Sequence, residues 1–190
     1  MSDLTLFEAI GAQRAIRRFK PDPVPRAAID RMLEAAIRAP SGRNIQPWRF
    51  VVVRDDELRR TLADWYPGRG SWDPAAPSIE DDLAMAPILI VVCFQHTDRE
   101  APSIILGASV YPAVQNLMLA ATELGLGTTI TARLYQRRDD IAKLLGLPDR
   151  VEPLLCIPVG YPVDGARFGG SRRKPLSEVA FYDVWGRAEP

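Results

Sequence analysis

Short apolar runs alternate along this chain with stretches whose apolar residues recur every three or four positions. Residues 26–38 show the second pattern. Ala28, Ile29, Met32, Leu33, Ala36 and Ile37 share one face of a helix. Pro25 suits the start of that helix, and Pro40 biases Ala39 out of helical geometry, so the helix stops there. The same reading predicts helices near 4–12, 55–65, 103–125 and 137–145. β-Branched apolar runs such as Phe50-Val51-Val52-Val53 predict strands near 49–54, 87–94, 128–133 and 153–159. This mixture implies a layered α/β or α+β fold in which helices cover a sheet.

The 103–125 helix has little polar face. Ile104, Ile105, Val110, Val114, Leu117, Met118, Leu119, Ala121 and Leu124 surround most of it. A helix apolar nearly all round is central in its domain or covered by a partner, and a chain of this size points to a dimer interface. Pro112 should kink it, and Gly125 and Gly127 turn the chain into the next strand. Past the last strand, Phe181, Tyr182, Val184 and Trp185 must also pack on something, either their own domain or a partner. Residues 66–81 are rich in Pro and Gly and too long for a simple connection. They read as a surface excursion or as a substrate lid, with Trp65, Tyr66 or Trp72 as stacking platforms.

At 190 residues, 47% hydrophobic and 25% charged, the chain reads as one domain spanning 1–190 with a real core. Twenty-four basic residues balance 24 acidic ones, so no nucleic acid partner is implied. The basic residues are nonetheless uneven: Arg14, Arg17 and Arg18 cluster early, Arg172, Arg173 and Lys174 late. Cys93 and Cys156 sit in apolar runs without metal-ligand spacing and read as buried thiols in a reducing compartment. With His96 as the only histidine, a catalytic triad or histidine-based metal centre has little support. The start, Met1-Ser2-Asp3-Leu4, lacks the charged and apolar regions of a signal peptide, and no segment reads as a membrane span. The expected location is the cytoplasm.

Between the 26–38 helix and the first strand lies Ala39-Pro40-Ser41-Gly42-Arg43-Asn44-Ile45-Gln46-Pro47-Trp48. A plain helix–strand joint manages with a turn. This one presents Ser41, Arg43, Asn44 and Gln46 together, anchored by Pro47-Trp48, as either a ligand-facing loop or a polar connection satisfied within itself.

Pro-Ser, then Asn, then Gln-Pro-Trp before a strand resembles the FMN-dependent nitroreductase family. Three further segments agree in order: Arg14-Ala15-Ile16-Arg17-Arg18-Phe19, residues 116–131 (NLMLAATELGLGTTIT) and Arg172-Arg173-Lys174-Pro175-Leu176-Ser177-Glu178-Val179. Pro40-Ser41-Gly42, the Thr-rich strand and Val159-Gly160-Tyr161-Pro162 are similar to the iodotyrosine deiodinase branch of that superfamily. The resemblance implies an α+β, three-layer fold with a mostly antiparallel central sheet flanked by helices. It also implies a homodimer built around the long central helix, with FMN at the subunit boundary.

Matched residue by residue, the resemblance makes Arg14 and Arg173 the phosphate candidates and puts Arg17 near the flavin N1 and C2 carbonyl, where negative charge accumulates on reduction. Ala15, Ser41 and Asn44 fall at flavin-contacting positions, Thr131, Ala132 and Arg133 near N5, and Arg43 on the substrate side. No side chain is matched to a general acid or nucleophile, since the flavin carries the chemistry. Gln13 and Ala15 depart from the family's Arg and Ser, so weaker FMN binding is expected unless Arg18 or Arg172 compensates. The implied activity is a ping-pong oxidoreductase in which NADH or NADPH delivers electrons and a small planar acceptor, a nitroaromatic or quinone, receives them. Alternatives on the same scaffold are reductive dehalogenation, flavin fragmentation and a non-catalytic FMN-binding protein. Residues 66–86 carry Tyr66, Glu80, Asp81 and Asp82 but lack the Lys of the deiodinase lid, which disfavours iodotyrosine.

Overall fold

The structure is a computed structural model and describes residues 4–66, 83–97 and 103–187, with side chains from 107 onward in the last stretch. The expected 66–81 loop lies outside the described residues except for Tyr66. In chain order the elements are α1 (Leu6–Ala12), α2 (Arg26–Ala36), β1 (Trp48–Val53), α3 (Asp56–Asp64), β2 (Ile88–Gln95), α4 (Ser103–Glu123), β3 (Gly127–Thr128), α5 (Arg138–Leu144) and β4 (Val151–Gly160). The strands form one sheet in the order β1-β2-β4-β3, and every pairing is antiparallel.

Alternation along the strands divides the interior into two layers. Ile88, Ile90, Val92 and Phe94 face α2 and α4 together with Leu155, Ile157 and Val159. Leu89, Val91, Cys93 and Cys156 face the opposite side, where Leu62 of α3 and Ile141 of α5 close the core. The expected three-layer α+β architecture is therefore present. In α4 the side chains of Val110, Ala113, Val114, Leu117, Met118 and Ala121 are all buried, and the helix continues through Pro112.

Local chemistry sets the helix ends. Thr5 and Glu8 form a reciprocal capping box at the start of α1, and Asp55 accepts from the N–H groups of Glu57 and Leu58 at the start of α3. After α4, Gly125 takes a φ of +72°. That lets the Gly125 N–H reach the Thr122 carbonyl at 3.0 Å and the Leu126 N–H reach the Ala121 carbonyl at 2.8 Å. This left-handed stop closes the helix as the glycine predicts.

One strand differs from expectation. In place of a strand over 128–133, β3 holds only Gly127 and Thr128, followed by an isolated bridge between Thr131 and Cys156. The register is continuous, because Thr128 faces Val159 and Thr131 faces Cys156. Thr131 and Cys156 exchange N–H···O bonds of 2.9 and 3.0 Å. The next such exchange in an antiparallel ladder would fall between Thr129 and residue 158, which is Pro158 and has no N–H to give. The ladder breaks there, and beyond it Ala132 enters helical geometry at the head of a 3₁₀ turn, Arg133–Arg137.

Candidate functional site

The segment after α1 crosses the β3 edge of the sheet. Ile16 N–H donates to the Thr128 carbonyl at 2.9 Å, Lys20 N–H to the Tyr161 carbonyl at 2.8 Å, and Val163 N–H to the Arg18 carbonyl at 3.2 Å. This crossing needs Gly127, because a Cβ there would stand 2.6 Å from the Ile16 side chain. Two stretches far apart in sequence, 14–18 and 163–167, thereby wall an open cleft of about 520 Å³. Arg14, Arg17, Arg18 and Arg167 all line it. The one carboxylate among the lining residues, Asp164, is held by Lys20 at 2.6 Å, and that pair raises the lysine pKa.

Arg14 donates to the Gly169 carbonyl at 3.2 Å, and Arg17 donates to the Ala15 carbonyl at 3.5 Å. Ala15 itself bridges Thr128 in parallel. Thr131, Ala132 and Arg133 follow on the same edge. The Thr131 side chain turns inward, 4% exposed, with its hydroxyl donating to the Cys156 carbonyl at 2.8 Å. Ala132 is exposed and Arg133 half-buried. Arg173 is exposed, donates to the Arg172 carbonyl at 3.0 Å, and is not among the residues that wall the cleft.

The Ser41, Arg43 and Asn44 loop lies elsewhere. It leads into β1 at the opposite edge of the sheet. Trp48 faces Phe94 and Phe94 faces Glu152, so the loop sits beside the start of β4, whereas Gly127 faces Gly160 at its end. The two regions are thus about 25 Å apart along the strands and about 14 Å across three strand spacings. One chain does not bring them together. Within the loop, Arg43, Asn44 and Gln46 have φ of 54°, 57° and 48°, a left-handed conformation unfavourable for non-glycine residues. The Ser41 hydroxyl accepts from the Gln46 N–H at 3.0 Å and fixes this shape. Arg43 and Asn44 are exposed.

The single histidine is paired and both cysteines are buried. His96 lies 2.9 Å from one oxygen of Glu152, and the Tyr135 hydroxyl donates to the other at 2.8 Å. That hydrogen bond pushes the tyrosine pKa up. Burial raises both thiols, Cys93 and Cys156, to about 12, so neither is a nucleophile at neutral pH. No cluster of three or more metal-ligating side chains occurs among the described residues, and no described helix is long and apolar enough to cross a membrane.

Arg167 is the cleft residue that sequence reasoning missed. Its signal is the Asp164-Gly165 turn: the Ala166 N–H donates to the Val163 carbonyl at 3.0 Å and Gly165 has a φ of +83°, which aims the chain back at Arg18.

A cleft lined by four arginines suits an anionic ligand. The chain belongs to the nitroreductase family, an FMN-dependent class of oxidoreductases, with residues 10–161 matching the family model. A Methanothermobacter thermautotrophicus protein, provisionally named NADH dehydrogenase/NAD(P)H nitroreductase, is 33% identical over 86% of this chain and 81% of its own. Iodotyrosine deiodinase 1 of Rattus norvegicus is 29% identical over 94% of this chain and 70% of its own. The NADPH:FMN oxidoreductase of Vibrio harveyi, solved with NAD+, shares the fold with a TM-score of 0.78 at 24% identity, covering 94% of this chain and 77% of that one. The residues present fit FMN: guanidinium groups converge on one cleft, where a phosphate close to a dianion is favoured.

Proposed function

We propose that the protein is a homodimeric FMN-dependent NAD(P)H oxidoreductase that reduces small planar acceptors such as nitroaromatics or quinones. The observation that carries this reading is the separation of the two polar regions within one chain. Arg14, Ala15 and Arg17 gather at one corner of the sheet, the Thr131–Arg133 turn lies about halfway along the same edge, and Ser41, Arg43 and Asn44 gather at the diagonal corner. A second copy related by a two-fold axis would set one copy's loop against the other's cleft and create two equivalent sites. Exposed apolar groups supply a surface for that contact. Phe7 is 83% and Trp185 89% exposed, with Leu6, Ile10, Tyr111, Leu176 and Val184 also open. This favours the partner-wrapping alternative for the C-terminal tail.

Bound FMN supplies the two-electron chemistry. The chain binds, orients and polarises. Arg14 and Arg173 would hold the phosphate. Arg17 would place a fixed cation at the N1/C2 edge, where charge grows on reduction. The partner's loop would contribute its serine and asparagine as orienting groups, with the Arg43 charge toward an electron-rich or anionic acceptor.

The test is anaerobic mixing of the FMN-loaded protein with NADH and, separately, NADPH, following flavin absorbance. Rapid bleaching that a nitroaromatic or quinone then reverses is the expected result. Flavin that stays oxidised with both donors would overturn the oxidoreductase assignment.

A further inference from the structure

We propose that Arg18 and Arg167 form a subsite for a phosphomonoester dianion on the arginine-lined cleft, an inference that rests on the flavin reading above. Neither residue belongs to the matched flavin positions, yet both line the same cleft as Arg14 and Arg17. They are brought together by the backbone. The Val163 N–H binds the Arg18 carbonyl, and the turn that begins at Val163 delivers Arg167 four residues later. Among the described residues neither guanidinium has a carboxylate partner. The candidate that could neutralise them, Asp164, is bound to Lys20. In a chain whose net charge is zero, this leaves cations concentrated in one cleft, a cost in self-repulsion that an anionic ligand offsets.

Of the paired arginines in the family's N-terminal motif, one is replaced by Gln13 and the other, Arg14, already shares its guanidinium with the Gly169 carbonyl, while Arg173 stands outside the cleft walls. Arg172, the other candidate for compensation, does not line the cleft. On the flavin reading the anion that two guanidinium forks would meet here is a phosphate monoester. Two sources carry that group: the 5′-phosphate of FMN and the 2′-phosphate that distinguishes NADPH from NADH.

Paired titrations separate them. The apoprotein is titrated with FMN and with riboflavin by flavin fluorescence, and the FMN-loaded protein with NADP+ and with NAD+, for the wild type, Arg18→Gln and Arg167→Gln. Each substitution should weaken the phosphate-bearing ligand by about tenfold or more and leave its phosphate-free counterpart unchanged. Loss confined to FMN assigns the dianion to the flavin, and loss confined to NADP+ assigns it to the nicotinamide. Raising the ionic strength should reproduce that loss in the wild type and have less effect in the variants. Variants that bind all four ligands as the wild type does overturn the subsite, as does an equal loss with and without phosphate. A wild type that binds neither FMN nor riboflavin overturns the flavin reading and the subsite together, a different pattern from either.

Discussion

The loop before β1 and the cleft beside β3 are both polar, yet they are built on opposite principles. The loop is closed on itself. Ser41 holds the Gln46 N–H, Asn44 and Ile45 N–H groups bind carbonyls within the turn, and three non-glycine residues accept left-handed geometry to make this shape. The cleft is open: a crossing segment, 14–18, and the turn at 163–167 wall it, and four arginines line it. A preorganised hydrogen-bonding surface and an electrostatic well are complementary demands of one flavin, whose ring needs orientation and whose phosphate needs charge. On the proposed dimer, their placement at diagonal corners of one sheet makes the folding unit and the functional unit differ.

The sharpest way to break this comparison is to damage each half in a different chain. Arg17→Ala and Ser41→Ala should each weaken flavin binding by about tenfold or more as homodimers. After unfolding and refolding together, half of the dimers should be hybrids, and each hybrid carries one site with neither lesion. Titration of the mixture should then recover about a quarter of the sites at wild-type affinity. No recovery in verified hybrids would mean that cleft and loop do not share a flavin.

A smaller effect concerns the cleft's scaffold. Gly127→Val places side-chain atoms where the Cβ alone would stand 2.6 Å from Ile16, so the segment carrying Arg14 and Arg17 has to shift. Stability should fall by about 1–3 kcal/mol, measured as a lower denaturant midpoint, with flavin affinity falling in parallel. Unchanged stability would show that the crossing tolerates more bulk than its geometry suggests.

The smallest effect should have the opposite sign. Arg43→Gly relieves a φ of 54° and should raise stability by about 0.5–1 kcal/mol after glycine's entropy cost, while weakening any preference for anionic acceptors. A variant both less stable and unchanged in acceptor preference would remove the case that strain is kept there for function.

Much of this was legible in the sequence because local periodicity carried it. The apolar face of α2 from Ala28 to Ala36, the Pro25 start and the Gly125 stop depend only on neighbours, whereas Ile37, expected on that face, follows the helix and is exposed. What was not legible depends on pairings across long stretches of chain. The length of β3 is set by Pro158, some thirty residues further along the chain. That the loop and cleft stand apart follows from strand order, which periodicity does not encode. Arg167 enters the cleft only through the backbone contact between Val163 and Arg18, so its role had a turn signal but no address. Thr131 shows the converse: it stands at a matched position, and its hydroxyl proton is engaged within the sheet.

The two deeply buried thiols have a practical consequence. With pKa values raised from 9.0 to about 12, Cys93 and Cys156 stay protonated in the folded protein, and the stability they confer is complete below pH 9.0 and lost only as pH climbs toward 12. At neutral pH the native chain is therefore silent toward maleimides and other thiol labels. A single cysteine placed at exposed Arg43 or Trp185 would be the one reactive handle among the described residues. In the proposed dimer, spin labels or fluorophores could then report the distance between the two copies directly, without first stripping the native cysteines from the core.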